Sequence, residues 1–241
     1  MIVLFTDFGL EGPYTGQMKA VLRRSAPAAE IIDLFADAPR GDPKASAYLL
    51  AAYAAWFPAG TVFLAVVDPG VGGPRAPIMI EADGRRYVGP DNGLFELVLR
   101  RAKGARVLEI AARPAALSAS FHGRDLFAPA AASLALGQEP ASRAITPERH
   151  ADWPDDLAEI VYIDHYGNAL TGLRAGAFAA ESILVLASGA RVGRAKTFSA
   201  VPPGAAFWYE NSNGLVEIAV NQGRADVALA LRIGSSVAIG A

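Results

Sequence analysis

TVFLAVVDPGVGGPR, residues 61–75, runs an apolar stretch directly into Asp68 and then turns through Pro69, three glycines and Pro74 to Arg75. Read as a strand, it sets a carboxylate at the strand's C-terminal tip, the end at which open parallel sheets bind their ligands. Whether such a sheet exists depends on the flanking segments. IVLFT (2–6) and EIIDLF (30–35) are short apolar runs with strand character. Between them, TGQMKAVLRRS (15–25) spaces Met18, Val21 and Leu22 as on a helix. DPKASAYLLAAYAAWFPAG (42–60) opens with Asp42 as N-cap and Pro43 at the first helical position, and stops at Pro58 and Gly60.

This alternation of strands and helices predicts βαβ units and a mainly parallel sheet. Beyond Asp68, APIMIEA (76–82) and RRYVG (85–89) flank an Asp83-Gly84 turn, a hairpin signal. NGLFELVLRRAKG (92–104) reads as a helix, RVLEIA (106–111) as a strand and RDLFAPAAASLALG (124–137) as a helix with Pro129 in its first turn. Residues 1–140 thus form one α/β domain. From Gly137 to Asp156 the chain is polar, carries three prolines and has no period, which predicts a linker over 141–156. Residues 157–241 change character. LAEIVYIDHYGNALTGL, the pair SILVLAS and ARVGRAK, and AFWYENSNGLVEIAV read as successive hairpins, so a small all-β, barrel-like domain is expected.

The 241 residues carry a net charge of −2 with no basic run, which argues against nucleic acid or an anionic membrane as partner. There is no cysteine, which excludes disulfides and thiolate chemistry and fits a reducing, cytoplasmic compartment. No apolar stretch is long and uncharged enough for a membrane span. Phosphate-loop, nucleophile-elbow and dinucleotide-fingerprint motifs are all missing from the sequence.

Asp7 in TDFG and Asp68 in VDPGVGG each end a strand beside glycines. A local capping role accounts for either alone, and the pair favours a site. Asn92 follows the strand of YVGPDNGL and stands evenly between a turn role and a ligand contact, whereas a turn accounts for Asp91. His122 lies where a strand-like segment passes into a helix, with Arg124 and Asp125 in the first turn. Of the other histidines, His150 falls in the linker and His165 in a turn, so no histidine cluster supports a metal site. An acid, an arginine and a histidine at one sheet edge would suit proton handling or the orientation of a water molecule. Turn propensity accounts for Asp164, Asn168, Ser212 and Asn213, unless these tips face the edge of an α/β domain. Phe207, Trp208 and Tyr209 fit either stacking on a flat base or alternating core positions.

Taken together, TDFG, VVDPGVGGPR, YVGPDNGL, FHGRDLFAPAAA, IDHYGN and ENSNGLVEIAVN resemble, in this order, the S-adenosyl-L-methionine (SAM) hydroxide adenosyltransferases. These are also called SAM hydrolases and are relatives of the SAM-dependent fluorinase and chlorinase. The resemblance implies an α/β domain followed by a β-barrel-like domain. It also implies a homotrimer whose active site lies between one subunit's first domain and a neighbour's second. The implied reaction splits SAM with water into adenosine and L-methionine, without metal or added cofactor. Asp68, Arg75 and His122 match the family's catalytic set, and Asp7 matches the acid that holds the ribose hydroxyls. Asp164 and Ser212 match residues gripping the methionine end, and Asn168 matches an adenine-binding amide; Asn92 joins them as a substrate-contact candidate. Asn213 and Val220 stand where the halogenases carry arginines, and the fluorinase's long first-domain insertion is missing; both departures favour hydrolysis over halogenation. A non-catalytic SAM- or adenosine-binding protein is the other alternative.

Overall fold

In the computed structural model, which describes every residue except 113, 115, 180 and 241, strands β1 (Ile2–Thr6), β2 (Ile31–Phe35) and β3 (Val62–Val66) lie side by side and parallel. Helices α1 (Tyr14–Ser25) and α2 (Pro43–Ala54) make the crossovers. The α2 start is built as its sequence requires: the Asp42 side chain accepts a hydrogen bond from the Ala45 N–H at 2.9 Å, and Pro43 occupies the first turn. β4 (Pro77–Ala82) and β5 (Arg85–Pro90) form a hairpin, with β5 parallel to β3. Asp83 and Gly84 both have positive φ, +47° and +76°, as a two-residue turn matched to strand twist demands.

After α3 (Glu96–Arg101) come β6 (Ala105–Ile110), α4 (Ala128–Ala135) and β7 (Ser142–Ala144). The sheet order is β2-β1-β3-β5-β4-β6-β7. Three of its pairings are parallel and three antiparallel, so the sheet is mixed rather than mainly parallel. The cause is the tight Asp83-Gly84 turn: it reverses the chain between β4 and β5, and β6 and β7 then add antiparallel at the β4 edge. α3 is also shorter than its sequence pattern, because residues 92–95 are spent on the turn that follows β5.

Alternation along β1 divides the core. Ile2 and Leu4 join Met18 and Leu22 of α1 and Leu126 and Ala131 on one face. On the other face Phe5 meets Phe35, which in turn meets Tyr53 of α2 in an edge-on contact at 5.1 Å. Each such large apolar side chain, fully buried, contributes roughly 1.5–3 kcal/mol relative to exposure. This first unit, Met1–His150, therefore includes most of the segment whose composition predicts a linker. β7 pairs with β6, and Arg149 and the His150 N–H bind the buried Glu96 carboxylate. The low periodicity of that segment reflects edge pairing and polar contacts, which leave no helical or strand period to read.

The second unit, Ala151–Ala241, is nearly all β. β8 (Leu157–Ile163), β9 (Ala169–Arg174), β12 (Ala206–Glu210) and β13 (Leu215–Val220) form a sheet in the order β12-β13-β9-β8. β10 (Ile183–Leu186), β11 (Arg191–Val192) and β14 (Val237–Gly240) form a second, in the order β11-β10-β14. Isolated bridges link Glu159 to Ser236 and Arg194 to Trp208, one at each side of the four-stranded sheet. The short helix α5 (Ala225–Ala228) packs on β13. Phe207 and Trp208 are core residues here, 1% and 0% exposed, whereas Tyr209 is half-buried.

Candidate active site

β1 and β3 are adjacent and in register, with Thr6 opposite Val66, so Asp7 and Asp68 follow two neighbouring strand ends on the same side of the sheet. The loop after Asp68 then doubles back. Gly72 has φ +82°, and a Cβ there would stand 2.6 Å from the Ala119 carbonyl oxygen, so only glycine lets the 69–74 turn press against the 117–121 loop. That close approach brings Arg75 between Asp68 and His122.

The guanidinium makes a two-point contact with Asp68. Nε donates to Oδ1 at 3.1 Å, and Nη2 donates to Oδ2. Nη2 also meets His122 Nδ1 at 3.1 Å. Arginine has no acceptor, so Nδ1 accepts this bond and a neutral ring carries its proton on Nε2. The ion pair is enclosed, with side chains 11% (Arg75) and 4% (Asp68) exposed, and the Arg75 guanidinium carbon lies 5.4 Å from the centre of the Phe127 ring. A two-point, buried arginine–carboxylate contact is rigid as well as strong.

His122 owes its position to an irregular helix start. Residues Gly123–Phe127 form a π-helical turn that passes into α4, where Pro129 has no N–H to give to the preceding turn. Asp125 closes the loop carrying the histidine by accepting from the Ser118 N–H at 2.9 Å and from Arg124 Nε at 2.6 Å. Arg124 also donates to Gln17 Oε1 at 2.8 Å. Arg124 and Asp125 therefore brace the His122 loop against each other and against α1.

Asp7 accepts from the Gly41 N–H at 2.8 Å. Burial pushes its carboxyl above the usual carboxylate range and the Asp68 charge adds to this, while the Gly41 N–H and Arg40 pull it back. Asn92 donates to the Val67 carbonyl at 2.9 Å and accepts from the Leu94 N–H at 3.3 Å. Its amide thus ties the turn after β5 to the strand tip that carries Asp68. Asp91 accepts from the Glu148 N–H at 3.1 Å, a bond across 57 positions that ties the segment before His150 to the turn after β5, where the sequence suggests only a local turn role.

In the second unit Asp164 and Asn168 face each other across the β8–β9 turn. Asp164 accepts from the Asn168 backbone N–H at 2.8 Å and from its Nδ2 at 3.1 Å. They line a concavity of about 650 Å³ with Phe198, Tyr209 and Glu217. Ser212 is exposed in the β12–β13 turn and lies outside that lining; its neighbours Glu210 and Asn211 border a second concavity of about 710 Å³ with Arg194 and Lys196. Glu217 is the residue that sequence reading passed over. It is 6% exposed, and its carboxylate accepts from the Tyr209 hydroxyl at 2.5 Å and from Asn211 Nδ2 at 3.0 Å. The available signal was a glutamate inside the otherwise apolar strand LVEIAV. Among the described residues no group of three or more metal-ligating side chains is placed to hold an ion, and no helix is long and apolar enough to cross a membrane.

Fold and site together define a two-domain protein: a mixed α/β unit with a buried acid–arginine–histidine centre, followed by a β unit with an acid-lined concavity. Residues 2–144 match the model for the SAM hydroxide adenosyltransferase N-terminal domain, and residues 158–238 match the model for its C-terminal domain. The chain belongs to the SAM hydroxide adenosyltransferase family. An (R)-S-adenosyl-L-methionine hydrolase of Thermus thermophilus is 43% identical over 98% of each chain. One from Salinispora arenicola is 38% identical over 97% of this chain and 95% of its own. A crystal structure of an uncharacterized conserved protein from Thermotoga maritima superposes with a TM-score of 0.89 at 30% identity, covering both chains completely.

Proposed function

We propose that this protein hydrolyses SAM to adenosine and L-methionine by attack of water at C5′. The observation that carries this reading is the convergence of Asp68, Arg75 and His122 on one point, in a chain whose relatives at 36–43% identity are named (R)-S-adenosyl-L-methionine hydrolases. The R in that name belongs to the sulfonium, since L already specifies the α-carbon, and the same epimer is the proposed substrate here.

The sulfonium is a cation and departs as a neutral thioether, so the leaving group needs no Lewis acid, and the reaction is proposed to run without metal or cofactor. Water is the weak partner. In the proposed mechanism Asp68 accepts a hydrogen bond from the attacking water and takes its proton as the oxygen bonds to C5′. The C5′–S electron pair moves to sulfur, and Asp68 passes the proton to solvent, so each turnover releases one proton. His122 already accepts from Arg75 at Nδ1, which makes it a positioning residue that holds the guanidinium in place. Arg75 fixes the Asp68 carboxylate by its two-point contact and offsets negative charge on the water oxygen. The approach of hydroxide-like oxygen to a sulfonium cancels charge, which a water-poor site favours. Asp7 binds the ribose hydroxyls, Asp164 and Ser212 hold the methionine end and Asn168 reads adenine, while Asn92 serves by securing the strand tip.

Incubation with the separated sulfonium epimers, with and without EDTA and chloride, tests this directly by chromatography. The expected result is adenosine and methionine in equal amounts from the R epimer, insensitive to EDTA, with one proton released per adenosine. Intact SAM overturns hydrolysis in favour of a binding protein, and 5′-chloro-5′-deoxyadenosine overturns it in favour of a halogenase. A barrel-like second domain, a homotrimer with the site shared between subunits and a cytoplasmic place of action complete the proposal. Light scattering is expected to give three times the chain mass, and full activity from a monomer overturns the assembly.

A further inference from the structure

On one face of the β9–β13–β12 sheet, Tyr209 stands directly opposite Glu217, and Asn168 lies diagonally across from Glu217 just before β9. The Asn168 amide nitrogen donates to Asp164 Oδ2 at 3.1 Å, and the same side chain lines the concavity beside Glu217. Two acid side chains flank this amide, and the Asp164 carboxylate only accepts, so the amide turns its NH2 and not its oxygen to Asp164. Turning the amide over would put its carbonyl oxygen against the Asp164 carboxylate. Glu217 is itself held still by the Tyr209 hydroxyl and Asn211 Nδ2.

We propose that Glu217 is a positioning residue that, with Asp164, fixes Asn168 with its carbonyl Oδ1 toward the concavity and so makes the site selective for a 6-aminopurine over a 6-oxopurine. The proposal rests on Asn168 as the base-reading amide in the function proposed above. Adenine presents an N6 amino donor to such an acceptor, whereas hypoxanthine presents a carbonyl oxygen there, and two acceptors face one another. A site built to pair with a donor rejects an analogue lacking it far more strongly than a packing change would.

The test compares SAM with its 6-oxo analogue, S-inosyl-L-methionine, by kcat/KM, and adenosine with inosine by calorimetric binding. The wild-type chain is expected to prefer the amino form by about 10⁴-fold in kcat/KM and to bind adenosine but not inosine in calorimetry. Glu217→Gln supplies a side-chain donor that can serve a turned-over Asn168, and is expected to lower that ratio about tenfold. Glu217→Asp, which withdraws the carboxylate by one methylene, is expected to lower it less and provides a second reading if the glutamine variant folds poorly. Equal use of both purines by the wild type overturns the proposal, as does a Glu217 variant that loses rate with an unchanged ratio, which marks a purely structural role. Absence of turnover on either SAM form, with adenosine still bound in preference to inosine, counts against hydrolysis while supporting the amide assignment.

Discussion

Asp68→Asn is expected to lower kcat for adenosine release about 10³-fold, within the 10²–10⁴ range of a positioned proton acceptor. The asparagine retains an oxygen for Arg75 but loses the charge that balances it and the basicity that takes up a proton. Because the pair is enclosed, with Asp68 4% exposed, the uncompensated guanidinium is also expected to reduce stability by about 3 kcal/mol, read as a lower unfolding midpoint. It stands beside a cationic substrate as well, so KM is expected to rise. His122→Ala leaves the ion pair intact and removes the second partner of Nη2, so kcat is expected to fall about 10²-fold with SAM binding retained by calorimetry. The double variant is expected to be little worse than Asp68→Asn, since the two groups act as one unit. Unchanged adenosine release in either single variant overturns the assignment, and fully additive losses overturn the coupling.

Acid unfolding gives the second large effect, centred on Glu96. Its side chain is 1% exposed and accepts from Arg100 Nη2 at 2.9 Å, from Arg149 Nε at 2.8 Å and from the His150 N–H at 3.2 Å. Burial alone would raise this carboxyl, but Arg149, the His150 N–H and Arg100 outweigh it and hold it down at about 2, against an ordinary 4.5. The folded value lies below the unfolded one. The stabilisation is therefore fully present above about pH 4.5 and is lost as the pH falls toward 2, a change on the order of 2–3 kcal/mol. Glu96→Gln is expected to be less stable than wild type at pH 7 and to approach it at pH 3, in urea unfolding at each pH. Asp125, Glu139 and Asp226 are also held low by arginines, but they remain in both proteins, so the difference isolates Glu96. Parallel stability curves for the two proteins from pH 5 to 2 overturn this account.

Glu96 also shows why part of the chain resisted reading. Arg149 and His150 lie more than 50 residues from the carboxylate they bind, in a segment whose prolines and polar residues look like a tether. The short edge strand β7 carries too few residues to display a period. The Asp42 cap, the Asp83-Gly84 turn and the three C-terminal hairpins were legible because each is decided within a few neighbouring residues.

By itself the sequence determined the strand before Asp68, which the structure ends two residues earlier at Val66, the α/β-then-β order and, through six blocks in the order of a known family, the residues to suspect. Local propensity and apolar periodicity act over one or two turns of chain, and they write themselves into the residues directly. Only the tertiary structure decided that the sheet is mixed, that Arg75 Nη2 lies 3.1 Å from a histidine 47 positions away, and that Asp164, Asn168 and Glu217 line one concavity. Those facts depend on loops closing and strands pairing over long separations. A glycine at position 72, which lets one loop press on another, matters only once both loops have been folded into place.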